Sequence, residues 1–253
     1  MRKLRRLALD PRHASYLTKK QREVDGGADI QKTWAYARKT KTMQGVAATL
    51  GAMTGSRARC FFCGDSLGGE LEHYRPKAKF ARYVFLWTNL LLACGSCNRK
   101  KLDSFAFFKR RPLLVDPARD DPWDDFFFEE KTGQIFPRYI GDPPQPSSRG
   151  KYTLEVIGTL RFEAVMEGRR RSYRNLRLVI NSYLQSSRGV LERNLLKEGI
   201  QDNDGYGLLE WFFLREGSKL PPFSTLQAKD PVVWTNLVSA VSAGVQGVKS
   251  VSL

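Results

Sequence analysis

All four cysteines of this 253-residue chain lie between positions 60 and 97, as two C-x-x-C pairs, Cys60/Cys63 and Cys94/Cys97. Two intervening residues form a tight turn that points both sulfurs one way, so two such pairs can close one tetrahedral Zn²⁺ site. The alternative is four reduced core cysteines. The zinc reading constrains the fold most, because it joins segments separated by 30 residues, and such a site contributes on the order of 10 kcal/mol to folding a small module. In the cytoplasm, paired cysteines are more often metal ligands than disulfides. The cytoplasm is the expected compartment. No apolar run approaches the ~20 residues of a membrane span. The basic start, MRKLRRLALD, has no apolar core of signal-peptide length, because Asp10 and Pro11 cut off Leu7 to Leu9.

A four-thiolate site has no open position, so this zinc is structural and the residues between the pairs must supply any chemistry. Glu72-His73 stands there, with one of only two histidines in the chain. His73 is the one good general base near neutral pH in the stretch. In a strand its neighbour Glu72 points the other way, but at a strand end both can reach one site. Asn98 follows the last cysteine, where a helix should begin. A carboxylate and an amide oxygen are hard ligands suited to Mg²⁺ or Mn²⁺. Arg99, Lys100 and Lys101 add charge for phosphate. The whole chain carries 42 basic against 26 acidic residues, a net charge of +16. Such an excess favours a polyanion, most simply nucleic acid; the plainer reading is a surface kept for solubility or for an acidic protein.

Residues 1–55 read as a basic N-terminal arm and a helix, the arm lying along a phosphate backbone or solvated. Ile30, Trp34, Ala37, Val46 and Leu50 are loosely periodic, which predicts a helix over 28–50. Residues 56–112 form the cysteine module. In 113–253, an acidic stretch around Asp116, Asp120, Asp121, Asp124 and Asp125 is either a second metal site or surface charge balance. Lys131-Thr132-Gly133 predicts a hairpin, and 141–150 (GDPPQPSSRG) reads as a linker. Helices follow, one over Leu208 to Leu214 and one started by Asp230-Pro231 as N-cap and first helical residue. Arg169, Arg170, Arg171, Arg174 and Arg177 form an exposed helix face or a phosphate contact.

Cys60-x-x-Cys63, Leu71-Glu72-His73, Trp87-x-Asn89-Leu90-Leu91 and Cys94-x-x-Cys97-Asn98-x-x-Lys101 together resemble the HNH endonuclease family with its ββα-metal fold. Glu72-His73-Tyr74-Arg75-Pro76-Lys77, the Trp-x-Asn-Leu-Leu-Leu-x-Cys run and Leu114-Val115-Asp116-Pro117 are similar, more narrowly, to HNH proteins of bacterial anti-phage systems of the Septu type (PtuB-like), also found with retrons. The resemblance implies an α+β fold, with a ββα-metal element and a four-cysteine zinc knuckle inside a mainly helical chain. It implies His73 as the base that activates water and Glu72 as the first metal ligand, usually Asp in the family. Asn89 matches the residue that orients the His through its backbone. Asn98 matches the last position, often His. Arg75 and Lys77 join Arg99, Lys100 and Lys101 as expected nucleic-acid contacts. The implied cofactors are structural Zn²⁺ and catalytic Mg²⁺ or Mn²⁺. The implied partners are DNA, ahead of RNA, and an ATPase of the same defence system. The rival expectation is a non-catalytic zinc-knuckle subunit that binds nucleic acid or serves as an adaptor.

Overall fold

The basic start of the chain is not a free arm. In the structure, a computed structural model that describes residues 1–55, 57–203 and 205–244, Met1 and Leu4 are buried. The Arg6 guanidinium donates to the carbonyls of Trp87 at 3.1 Å, Thr88 at 3.0 Å and Leu90 at 2.7 Å. These carbonyls lead into a strand of a two-stranded sheet, which leaves part of its backbone unpaired. A guanidinium satisfies several such groups at once, and this binds the strap to the body. Asp10 then caps α1 (Pro11–Asp25) by accepting the Arg12 N–H. The sequence hides this helix because only Leu17 and Val24 of its face are buried.

The helix expected over 28–50 is two, α2 (Ile30–Ala37) and α3 (Lys41–Ala52). Thr40 breaks them, because its hydroxyl accepts the Met43 N–H and so caps a new start. Strands β1 (Glu70–His73) and β2 (Leu90–Ala93) pair antiparallel, with Glu72 opposite Leu91 and His73 opposite Leu90. Helix α4 (Gly95–Lys101) follows, with Cys94 at its N-cap. Every residue of β2 is buried, so the Leu-Leu-Leu run marks a strand covered on both faces.

Three more two-stranded hairpins follow: β3 (Phe107–Phe108) with β4 (Arg111–Pro112), β5 (Phe126–Glu129) with β6 (Gln134–Pro137), and β7 (Tyr139–Ile140) with β8 (Gln145–Pro146). The second is the hairpin expected at Lys131-Thr132-Gly133. Gly133 has φ of 75° there, and a Cβ on it would collide with the Met166 carbonyl of the helix behind. The third corrects the linker reading. Residues 141–150 hold a strand, and Ser147 caps α5 (Ser148–Val156) by accepting the Gly150 N–H.

Helices α6 (Glu163–Gln185), α7 (Val190–Asp202), α8 (Leu208–Leu214), α9 (Phe223–Lys229) and α10 (Pro231–Ser242) complete the described chain. The α8 bounds and the Asp230 cap of α10 are those expected; α7 and α9 were not foreseen. The end of the tail, 245–253, lies outside the described residues. The fold is thus α+β, helices with small antiparallel sheets. One hydrophobic cluster runs from Met1 to Val241, so the described parts of the stretches 1–55, 56–112 and 113–253 share a core.

Two expectations about charge are decided. The acidic stretch is charge balance, met by arginines from later in the chain, and among the described residues it brings no three carboxylates close enough to hold a metal. Arg149 pairs with Asp120 and, at 2.7 Å, with Asp125, while Arg215 reaches Asp121 at 3.0 Å and Asp124 at 2.7 Å. These pairs fasten α5 and the end of α8 to the segment before β5. The arginines of α6 do not all lie on an exposed face. Arg169 is wholly buried, donating to Gly133 O at 3.0 Å and Leu160 O at 2.9 Å. Burial lowers its pKa to about 10, still charged at neutral pH.

Candidate functional site

The four cysteine sulfurs lie within 4.8 Å of one another and all four residues are buried. Cys63 and Cys94 Sγ are 3.9 Å apart, far beyond a disulfide bond. Sulfurs about 2.3 Å from a central Zn²⁺ sit roughly 3.8 Å apart in a tetrahedron, so the cluster has the dimensions for a metal such as zinc. The first pair sits in a tight turn, with Cys60 N–H on Ser66 O and Gly64 N–H on Cys60 O. Gly64 has φ of 69°, and its Cβ position would strike Gly205 O. The second pair straddles the first turn of α4, where the Cys97 N–H points at Cys94 Sγ. Hydrogen bonds among the thiols push Cys63 and Cys94 below the usual thiol range and Cys60 and Cys97 above it.

Alternation along β1 puts Glu70 and Glu72 on one face and Leu71 and His73 on the other. The glutamates face α4 and meet it in two rungs. Asn98 Nδ2 donates to Glu70, and Lys101 Nζ donates to Glu72 Oε1 at 2.7 Å. Lys101 was expected to touch phosphate. It is instead fully buried against Glu72, because a strand carboxylate above a helix needs an internal counter-charge. Burial raises the Glu72 pKa and Lys101 opposes that shift. Glu72 and Asn98, expected to share one ion, thus hold different partners across adjacent rungs. Glu70 was missed; the Glu-x-Glu spacing in a strand was the available signal.

His73 ends β1 and is buried. Its Nε2 lies 3.0 Å from Val84 O. A carbonyl only accepts, so Nε2 carries the proton and Nδ1 the free lone pair. The Trp34 ring packs at 4.3 Å from the imidazole centroid. Burial lowers the His73 pKa to about 3, so the ring is neutral at physiological pH. His73, Glu70, Glu72, Lys77 and Asn98 line a cleft of about 670 Å³, closed on the other side by Trp34, Arg38 and Gln44 from α2, its end and α3. Strand-end geometry brings Glu72 and His73 to one cleft, as expected.

The Asn89 side chain makes no hydrogen bond to His73. Its amide clasps the next turn: Oδ1 accepts the Arg75 N–H at 2.8 Å, and Nδ2 donates to Arg75 O at 3.1 Å and Tyr83 O at 2.8 Å. Its own carbonyl accepts the Tyr74 N–H at 2.8 Å. Asn89 therefore fixes the backbone leaving His73. Arg75 turns away from the His73 cleft, its guanidinium 4.5 Å from the Tyr83 ring centroid. Of the other expected nucleic-acid contacts, Lys77 lines the His73 cleft and Arg99 and Lys100 are exposed on α4.

Two carboxylates and an amide on one cleft wall are oxygen donors of the kind a hard divalent ion takes. The carboxylates are matched now by an ammonium and an amide N–H, so the wall already answers positive charge. Among the described residues, the thiols are the one group of three or more Cys, His, Asp or Glu side chains close enough to hold a metal unaided. No helix among these residues is long and apolar enough to cross a membrane. No family, curated protein or solved structure matches the chain.

Proposed function

We propose that the chain is a metal-dependent endonuclease of the HNH kind, hydrolysing phosphodiester bonds in nucleic acid, with DNA ahead of RNA as substrate. One observation carries the reading. His73, held as a neutral imidazole with Nε2–H on a backbone carbonyl, lines a cleft that also contains two carboxylates, an amide and a lysine. In this reading Nδ1 takes a proton from the attacking water. The Val84 carbonyl steadies the ring as that proton arrives. Lys77 attracts the phosphate, and Asn89 keeps the turn after His73 from shifting. Glu70, Glu72 and Asn98 would hold Mg²⁺ or Mn²⁺, which when bound polarises the scissile phosphate and stabilises the leaving 3′ oxygen. The four thiolates hold a structural Zn²⁺ beside them. The similarity to Septu-type proteins extends the proposal to an anti-phage effector working with an ATPase in the cytoplasm.

A second reading, a non-catalytic zinc-knuckle binding subunit or adaptor, is favoured by the Glu72–Lys101 pair, which occupies an expected metal ligand. An assay on DNA and RNA with Mg²⁺ or Mn²⁺ decides between them. His73→Ala should lower cleavage by about 10²–10⁴-fold, the range for losing a general base, with nucleic-acid affinity nearly unchanged. A parent protein that binds nucleic acid but cleaves none transfers the proposal to the second reading, and a His73→Ala variant that cleaves like an active parent removes His73 as the base.

A further inference from the structure

A second cleft, of about 640 Å³, opens on the other side of the turn that follows His73. Seven arginine or lysine side chains line it against two aspartates. The aspartates are turned inward: Asp120 is held by Arg149, and Asp116 accepts the Ala118 N–H. Arg75, Lys109, Arg110, Arg111 and Arg119 have no ion-pair partner among the described residues. The last four are exposed.

Two features make this more than a charged surface. First, Arg75 is pre-organised. Asn89 clasps its backbone, and its guanidinium sits within 6 Å of four ring centroids, at 4.5 Å from Tyr83, 5.8 Å from Phe80, 5.9 Å from Phe105 and 5.8 Å from Phe107. A stacked, unpaired arginine is suited to fork-like phosphate recognition. Second, the β3–β4 turn is built against its own backbone preference. Its two central residues, Lys109 and Arg110, have φ of 46° and 65°. A turn with positive φ at both central positions takes Asn-Gly or a like pair, yet here it holds two cations at the cleft mouth, with Arg111 next to them. Phe107 and Phe108 flank the turn with 44% and 58% of their surface exposed. Exposed rings interleaved with cations are the pattern that holds unpaired nucleotides, phosphates on the cations and bases on the rings.

We infer that this cleft and its hairpin form a second nucleic-acid site, one that grips an unpaired strand segment. The inference rests on the nucleic-acid reading above, though not on cleavage. The segment's phosphates lie on Arg75, Arg110, Arg111 and Arg119, and its bases stack on Phe107 and Phe108. Strand held here runs beside the His73 cleft, since Arg75 is two residues from His73.

The test measures binding of the full chain by fluorescence anisotropy without added Mg²⁺ or Mn²⁺, using an oligo-dT of about a dozen nucleotides and a duplex of similar length. Phe108→Ala should weaken oligo-dT binding by roughly 5–100-fold, the range for losing one base–ring stack, with duplex affinity kept. Lys109→Asn with Arg110→Gly should weaken oligo-dT binding as well while leaving the melting temperature equal or higher, because that pair suits the turn. Equal weakening of both ligands by Phe108→Ala, or no weakening by either variant while the parent binds oligo-dT, overturns the inference and leaves the endonuclease reading standing. Displacement of oligo-dT by polyglutamate at equal charge, or by ATP at equal phosphate, also overturns it, assigning the cleft to an acidic protein or a free nucleotide. A parent that binds neither oligo-dT nor duplex overturns both readings.

Discussion

One end of the β1–β2 hairpin serves two clefts that differ mainly in how their charges are spent. In the His73 cleft, Glu70 and Glu72 balance Arg38 and Lys77, and both carboxylates are already met by Asn98 and Lys101. In the Arg75 cleft the cations outnumber the acids seven to two, and most lack a partner. The first wall is rigid because both its carboxylates and its imidazole have internal neighbours. The second retains unneutralised charge, so its missing counter-ions must come from outside the chain. Groups held in fixed geometry favour chemistry, and groups left wanting favour capture. Asn89 joins the two, since its clasp on Arg75 stiffens the turn that both clefts share.

The largest expected effect abolishes both clefts together. Cys94→Ser removes one thiolate and the sulfur at the α4 N-cap. With a site of this type contributing on the order of 10 kcal/mol, the variant should aggregate or lose its near-ultraviolet circular dichroism. Elemental analysis of the parent should find about one zinc per chain. A folded, metal-free Cys94→Ser protein would detach the thiol cluster from both clefts.

A smaller effect should separate the clefts. Lys101→Met leaves Glu72 buried without its counter-charge, a change worth about 3–5 kcal/mol. Urea unfolding should register the loss, and adding Glu72→Gln should restore most of it. Binding of oligo-dT at the Arg75 cleft should survive wherever the variant is folded. If Lys101→Met unfolds at the parent's urea midpoint, the ion pair is not what stiffens the His73 wall.

Smallest is the loss at the joint. Asn89→Ala removes the bonds to Arg75 and Tyr83 and should cost about 2 kcal/mol by leaving buried carbonyls unmet. For a chain of this size that lowers the melting temperature by roughly 4–8 °C. Cleavage and oligo-dT binding should fall together, and a variant that loses one alone would show that the clefts are mechanically independent.

What the sequence discloses, and what it hides, follows from how far apart the interacting groups lie. The thiol cluster is legible because each half is a local turn. The β5–β6 hairpin and the Asp230 cap are legible for the same reason. Lys101 was misread because its neighbours in sequence are exposed cations, while its partner Glu72 lies 29 residues away. Arg6 read as part of an arm because the carbonyls it satisfies begin 81 residues later. Arg149 and Arg215 gave no hint that they hold the acidic stretch, and Val84 none that it sets the tautomer of His73. The β3–β4 hairpin escaped notice because Lys109-Arg110 lacks the Asn or Gly that announces such a turn.

The bond from Tyr206 Oη to Asp65, 2.6 Å long, spans 141 residues, and its consequence lies in time. Tyr206 and Gly205 brace the turn that carries Cys60 and Cys63. At a synthesis rate of about 5–20 residues per second, roughly 7–28 seconds separate the emergence of that turn from the arrival of its brace. A nascent chain shorter than this holds the cysteines, Glu72, His73 and Asn98 but not the wall behind them. The order of residues along the chain thus delays assembly of the site until Tyr206 has emerged.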